Sequence, residues 1–98
     1  MSSAQESTAS LRLDVEARVA SFGATELDLT GQEFDLLVAL TSRPVVSRED
    51  LRRAINLRGE SARRVDGILV RLRRVLGPHA IRTVRGRGWM LQIDHEVH

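Results

Sequence analysis

The chain has 98 residues and no cysteine, so it can hold one small domain but neither a disulfide framework nor a thiolate metal site. Its hydrophobic fraction of 42% is normal for a folded domain, and its longest apolar stretch, residues 36–40, is far too short to cross a membrane. The net charge of +2 hides an asymmetry, because residues 43–91 carry thirteen arginines and four acidic residues, whereas the flanking segments are acidic. Such a basic segment is typical of a protein with an anionic partner, and also of an ordinary solvated surface.

The two ends of the chain lack a regular pattern. Residues 1–10 are rich in serine and contain neither the basic nor the apolar region of a signal peptide, so we expect a flexible leader and a cytoplasmic location. We expect the folded domain over residues 11–93, followed by a tail of residues 94–98 with a frayed end.

Residues 11–29 show the period of two that is typical of β-strands. Apolar and mostly polar residues alternate over 11–19 and again over 25–29, with a turn signal at residues 22–24. We therefore predict a short antiparallel sheet of three or four strands. Because only two residues in this region are basic, we assign the sheet a scaffolding role.

A first helix is predicted to begin at Thr30, because Thr30 and Glu33 have the spacing of a capping box. Pro44 closes this helix, since proline cannot continue it. Its apolar face consists of Phe34, Leu36, Leu37, Val38, Leu40 and Thr41.

A second helix is predicted over residues 48–55, where Ser47 and Asp50 repeat the capping signal. Val45 and Val46 precede it and are predicted to form a very short strand. Residues 56–60 then form a loop. The inward-facing residues of this helix are Leu51, Ala54 and Ile55.

A third helix is predicted from a cap at Ser61 to about Leu76, just before Gly77 and Pro78. A rotation of 100° per residue separates two faces. The aliphatic face, with Ile68 at its edge, consists of Val65, Leu69, Leu72 and Leu76. The opposite face, flanked by Arg64 and Arg71, consists of Arg63, Gly67, Val70 and Arg74.

A C-terminal hairpin is predicted from two strands, residues 81–84 and 89–93, joined by the loop Arg85-Gly86-Arg87-Gly88. A helix with a basic face fits the major groove of DNA, and a basic hairpin beside it can reach the adjoining minor groove. The glycines let the backbone approach a partner closely. The order of sheet, three helices and hairpin therefore favours a nucleic-acid-binding surface.

The remaining polar and aromatic residues do not suggest catalysis. Trp89 is predicted to belong to the core. Asp66 is predicted to form an ion pair with a neighbouring arginine or to cap a local network. The three histidines are not spaced as metal ligands, and no carboxylate pair or Ser/His/Asp set occupies a recognisable pocket. We therefore expect no enzyme activity, no metal and no cofactor.

Four segments, in order, resemble the OmpR/PhoB-type DNA-binding domains of bacterial response regulators. Residues 29–37 (LTGQEFDLL) are similar to the signature of the first helix in that family. Residues 46–51 (VSREDL) resemble the start of its second helix. Residues 64–66 with 71–77 (RVD, RLRRVLG) resemble its recognition helix, and residues 81–89 (IRTVRGRGW) resemble its wing.

The resemblance covers residues 11–92 and implies an α+β winged helix-turn-helix fold with an N-terminal four-stranded sheet, three helices and a C-terminal β-hairpin wing. It implies regulation of transcription through double-stranded DNA, often by two copies on direct repeats, with no membrane involved. The loop 56–60 corresponds to a segment with which some relatives contact RNA polymerase. The resemblance and the charge pattern together assign DNA contacts to Arg63, Arg64, Gly67, Val70, Arg71, Arg74, Thr83, Arg85 and Arg87.

The chain departs from the usual family pattern on the third helix. Gly67 stands where relatives have a branched apolar residue, Ile68 where they have a histidine, and Val70 where they have a polar residue. An alternative is therefore a protein-interaction module on the same fold, with apolar Val70 and Ile68 near the exposed helix face. Binding of single-stranded RNA is less well supported, because the chain has two phenylalanines, one tryptophan and no tyrosine for stacking on bases.

Overall fold

The structure, a computed structural model, describes residues 10–55 and 63–98. It has the predicted α+β winged helix-turn-helix architecture. Its elements are, in order, β1 Leu11–Asp14, β2 Val19–Phe22, β3 Thr25–Leu27, α1 Gly31–Leu40, α2 Arg48–Ala54, α3 Arg63–Leu76, β4 Ile81–Val84, β5 Gly88–Leu91 and β6 His95–Val97. Among these residues, no helix is long and apolar enough to span a bilayer. The predicted leader (apart from Ser10), the loop 56–60 and the Ser61 cap lie outside the described residues.

The N-terminal sheet has four strands in the order β3-β2-β1-β6, and its fourth strand comes from the other end of the chain. The prediction of a frayed tail at residues 94–98 is wrong, because β6 pairs in parallel with β1. The N–H of Leu11 donates to the carbonyl of Asp94 at 2.8 Å, and the N–H of His98 donates to that of Leu13 at 2.8 Å. The sheet is therefore mixed, and not antiparallel throughout as predicted.

A turn interrupts the alternation that predicted a strand up to Val19. The Asp14 carboxylate accepts a hydrogen bond from the N–H of Ala17 at 3.0 Å, which closes the turn over residues 15–18. Arg18 has a φ of 58°, and its guanidinium lies 3.0 Å from the Asp35 carboxylate of α1. The strand pattern therefore stops at Asp14, because a side-chain hydrogen bond stabilises the turn, in which Val15 is exposed.

The first two helices begin where their capping signals predict. Thr30 and Glu33 form both halves of the capping box, with the N–H of Glu33 donating to Thr30 Oγ1 at 3.1 Å and the N–H of Thr30 to Glu33 Oε1 at 3.0 Å. At α2, the N–H of Asp50 donates to Ser47 Oγ at 3.1 Å. The short strand predicted at residues 45–46 is a single bridge between Val46 and Trp89.

One hydrophobic core joins the three helices, the sheet and the hairpin. Its buried side chains include Leu11 and Leu13 of β1, Leu51 of α2 and Trp89 of β5, together with most of the predicted inward faces of α1 and α3. Of the predicted inward residues, Val38, Thr41 and Ala54 are only partly buried. Trp89 is 7% exposed, which confirms its assignment to the core. Because the hairpin contributes to the core shared with the helices, it is held beside α3.

Candidate nucleic-acid interface

Helix α3 has one buried face and one exposed face, as its periodicity predicts. The buried residues are Val65, Ile68, Leu69, Leu72 and Leu76. The exposed ones are Arg63, Arg64, Asp66, Gly67, Val70, Arg71 and Arg74. Ile68 is only 7% exposed, so the alternative hypothesis was wrong to place it near the open surface. Val70, at 48% exposed, does lie on that surface.

Two arginines on one flank of α3 bind groups of their own chain. The Nε of Arg64 donates to Gln32 Oε1 at 2.9 Å. Arg71 donates from Nη2 to the carbonyl of Asp28 at 3.0 Å, and its Nε lies 4.0 Å from the Glu33 carboxylate. These contacts tie α3 to the start of α1, so both side chains have a structural role in the free protein.

On the other side, Arg73 connects α3 to the hairpin. Its Nε donates to the carbonyl of Ile81 at 3.1 Å, and its Nη2 donates to Thr83 Oγ1 at 3.1 Å. Thr83, a predicted contact residue, is therefore next to α3 and already accepts one hydrogen bond. The pairing holds β4 at a defined position beside the helix.

Arg48 links the N-terminus of α2 to both α3 and the hairpin. Its Nη1 lies 2.9 Å from Asp66 Oδ1, so Asp66 does form an ion pair, but with an arginine of another helix and not with a sequence neighbour. Its guanidinium also stacks over the Trp89 ring, 5.0 Å from the ring centre. An open groove beside this arginine, lined in part by Ser47 and Arg87, separates α2 from the hairpin.

The tip of the hairpin is exposed and basic. Residues 85–87 form the turn, in which the N–H of Arg87 donates to the carbonyl of Val84 at 2.9 Å and Gly86 has a φ of 74°. The strand β5 begins at Gly88, one residue earlier than predicted, and ends at Leu91, two residues earlier. Arg85 and Arg87 are exposed in this turn, whereas the core residues of the hairpin, Ile81 and Trp89, lie in its strands.

The arginines divide into a paired group and an unpaired group. Each paired arginine has a hydrogen bond or an ion pair to another described residue. This group consists of Arg12, Arg18, Arg43, Arg48, Arg52, Arg53, Arg64, Arg71 and Arg73. The unpaired arginines have no side-chain hydrogen bond or ion pair within residues 10–55 and 63–98, and they are Arg63, Arg74, Arg82, Arg85 and Arg87. All of the unpaired group lie on α3 or on the hairpin.

Sequence reasoning missed two arginines of this region. Arg82 is exposed in β4, whereas the family resemblance points to its neighbour Thr83. The sequence locates Arg48 only at the start of the second helix, whereas in the structure its side chain joins α2 to α3 and to the hairpin. The strand period gives a signal for Arg82, since Ile81 is buried and the next residue must face outward. No local signal indicates the contacts of Arg48, because they join residues far apart in sequence.

The chain is similar in sequence to known regulators of transcription. The family model described as "Transcriptional regulatory protein, C terminal" matches residues 24–91. The regulatory protein VirG of Agrobacterium fabrum is 39% identical over 89 residues, which cover 82% of this chain and 35% of VirG. The chain thus spans about a third of the length of this relative.

Solved structures of similar fold include isolated DNA-binding domains. The DNA-binding domain of CpxR from E. coli is 35% identical with a TM-score of 0.67, over 81% of this chain and 86% of that one. The DNA-binding domain of Klebsiella pneumoniae RstA, solved in complex with the RstA box, is 27% identical with a TM-score of 0.67, over 81% and 87% of the two chains.

Proposed function

The chain belongs to the family of OmpR/PhoB-type C-terminal domains of transcriptional regulatory proteins, and on that premise we propose that it binds double-stranded DNA through α3 and the hairpin. In this proposal α3 enters the major groove, which is wide enough to admit a helix. The hairpin tip, residues 85–87, lies at the adjoining minor groove or its phosphates.

The observation that carries the proposal is the position of the unpaired arginines. Arg63, Arg74, Arg85 and Arg87 lie on the two elements that would face DNA, and each lacks a partner among the described residues. An arginine without an internal partner can bind phosphate or guanine without first losing a contact. Each phosphate of duplex DNA that such an arginine neutralises releases about 0.9 of a bound counterion, so the affinity falls as the salt concentration rises.

The paired arginines support the same surface in another way. Arg64 and Arg71 attach α3 to the start of α1, and Arg73 attaches it to β4. The helix and the hairpin are therefore preorganised relative to each other, which lowers the entropy lost on binding. Direct DNA contacts by Arg64, Arg71 and Thr83 remain part of the proposal.

We extend the proposal to the setting of the domain. It acts in the cytoplasm as the DNA-binding part of a transcriptional regulator, and two copies bind direct repeats. The loop 56–60 is the segment proposed to contact RNA polymerase. These features rest on the family membership, and each needs its own test.

A binding experiment with the 98-residue chain tests the proposal directly. A pool of random duplexes is selected on the immobilised chain, and the affinity of the recovered duplexes is measured by fluorescence anisotropy as salt is varied. If all five arginines of the unpaired group, Arg82 included, meet phosphates, the slope of log K against log salt is about −4 to −5. Affinity then falls several hundredfold between about 50 and 200 mM salt. Absence of binding to any duplex at low salt would contradict the proposal and favour a protein-interaction module.

A further inference from the structure

The outward stripe of α3 is charged at its ends and uncharged in its middle. Arg63, Gly67, Val70 and Arg74 are spaced by four, three and four residues, which places them in one row along the helix. At 1.5 Å per residue, Val70 lies about 10 Å from the level of Arg63 and about 6 Å from that of Arg74. Between these two unpaired arginines, the row exposes the backbone at Gly67 and the aliphatic side chain of Val70.

We propose that Val70 reads the 5-methyl group of a thymine in the major groove, and that Gly67 allows the helix backbone to lie close to the base edges there. This inference rests on the proposed function, since it names the base feature that the same surface recognises. It assigns apolar contact to the middle of α3 and charge-assisted contact to its ends.

The chemistry of Val70 selects among the features of the major groove. Its side chain has no hydrogen-bonding group, and the thymine methyl is the apolar group that a base pair presents in that groove. Contact with the methyl removes apolar surface of both partners from water, which is favourable. Among the large hydrophobic residues described as exposed, Val70 is the one that lies on a helix, while Val15, Val19 and Val97 lie in or beside the N-terminal sheet.

The surroundings of Val70 favour DNA as the partner of this apolar side chain. The unpaired arginines at both ends of the stripe suit an anionic partner, and the single acidic residue of α3, Asp66, is paired with Arg48. A protein that docked on Val70 would have to bring acidic groups to both ends of the same row. A DNA duplex carries phosphates along both edges of the major groove, so it can supply an anionic group to the arginine at each end of the row.

Within the described part of the free protein, no close packing around residue 67 requires a glycine there. Beyond the neighbouring backbone of α3 itself, a Cβ atom built at this position meets no heavy atom within 4 Å. Glycine lowers helix stability relative to alanine, so the residue costs stability without relieving a clash. Close approach of a partner to the helix backbone accounts for the glycine, because alanine would fill that space.

The test replaces single methyl groups in the DNA. Duplexes recovered from a random library by the 98-residue chain are resynthesised with each thymine changed in turn to deoxyuridine, which lacks only the 5-methyl group. We expect affinity to fall about fourfold at one or two positions, which is the effect of one methyl-sized group buried from water. Val70→Ala should bind the unmodified duplex more weakly and should no longer distinguish thymine from deoxyuridine at those positions.

Two controls separate recognition from folding. Val19→Ala makes the same chemical change at an exposed valine of β2 and should retain the discrimination. Gly67→Ala should raise the thermal midpoint measured by circular dichroism and yet lower duplex affinity by about tenfold, the effect of one surplus methyl group in a close-packed contact. Unchanged affinity of this variant would remove the role assigned to Gly67.

The outcomes distinguish this inference from the proposed function. If the chain binds duplexes in a salt-dependent way, but no deoxyuridine substitution changes the affinity, the recognition of thymine by Val70 is overturned. The proposed DNA binding would still stand. Recovery of bound duplexes without a shared sequence would do the same. Failure to bind any duplex would overturn both, and Val70 would then belong to a protein-docking surface.

Discussion

Val46 and Trp89 each donate their backbone N–H to the carbonyl oxygen of the other at 2.9 Å, which fastens the hairpin to the segment that precedes α2. Gly88 lies beside this pair, and its φ of 145° is one that residues with a side chain rarely adopt. A Cβ atom at Gly88 would overlap the carbonyl of Val46 and lie 2.9 Å from Ser47 Cα. The position of the wing therefore depends on the absence of a side chain at residue 88.

Gly88→Ala should destabilise the domain by about 2–4 kcal/mol, because it combines backbone strain with overlap against a neighbouring backbone. The measurement is urea unfolding followed by circular dichroism. Gly86→Ala is the matched control, since Gly86 has a φ of 74° but open space around it. It should cost only about 1 kcal/mol. Equal losses for the two variants would show that the contact with Val46 does not hold the wing.

Arg71 and Arg74 should respond differently to truncation, although they are three residues apart on the same helix. Arg71→Ala removes the hydrogen bond to the Asp28 carbonyl, so we expect a stability loss of about 0.5–1 kcal/mol for this half-exposed side chain. Arg74 has no partner among the described residues, so Arg74→Ala should leave stability unchanged.

The Arg74→Ala variant also tests the DNA interface, because its effect on duplex affinity is not mixed with a loss of stability. Arg74→Ala should weaken duplex binding by about 1–3 kcal/mol if the side chain meets a base edge, with a loss that depends on sequence. If it meets phosphate, the loss should be uniform across sequences and the salt slope should fall by about 1. Anisotropy titrations with two unrelated duplexes decide between these cases. Full affinity of Arg74→Ala would remove this residue from the interface.

The strand β6 should stabilise the N-terminal sheet without contributing to DNA binding. Deletion of residues 95–98 removes backbone hydrogen bonds to β1, including that from His98 to Leu13, and should cost about 1–3 kcal/mol in urea unfolding. Duplex affinity should not change, because β6 belongs to a different sheet from the hairpin. Arg12→Ala removes only the exposed ion pair to Glu96 at 3.7 Å, and should cost less than about 0.5 kcal/mol. A deletion variant as stable as Arg12→Ala would refute the role of β6.

The helices and their faces could be predicted because their signals are local. The capping box of Thr30 and Glu33 needs only four consecutive residues, and the buried face of α3 follows from helix geometry. The hairpin strands follow from alternation: β4 has the predicted bounds, and the ends of β5 shift by one and two residues. The sequence also placed Trp89 in the core correctly.

The features that could not be predicted depend on contacts between distant residues. All three residues of β6 are exposed, so no apolar alternation marks it as a strand. The apolar alternation continues through residues 15–18, so it gives no sign of the turn there. The turn is stabilised by the hydrogen bond from the N–H of Ala17 to the Asp14 carboxylate. The division of the arginines into paired and unpaired groups arises from partners such as Gln32 and Asp28, which lie more than thirty residues from Arg64 and Arg71.

The central claim is that the unpaired arginines of α3 and the wing bind the DNA backbone. Its most direct test is the salt dependence of duplex affinity for the triple variant Arg63→Ala, Arg74→Ala and Arg85→Ala, with Arg12→Ala as a control on the N-terminal sheet. For phosphate contacts, the triple variant should reduce the magnitude of the log–log slope by about two to three. It should also bind at least about 100-fold more weakly at low salt, since each arginine contributes on the order of 1–3 kcal/mol. A triple variant that binds with the slope and affinity of Arg12→Ala would contradict the account.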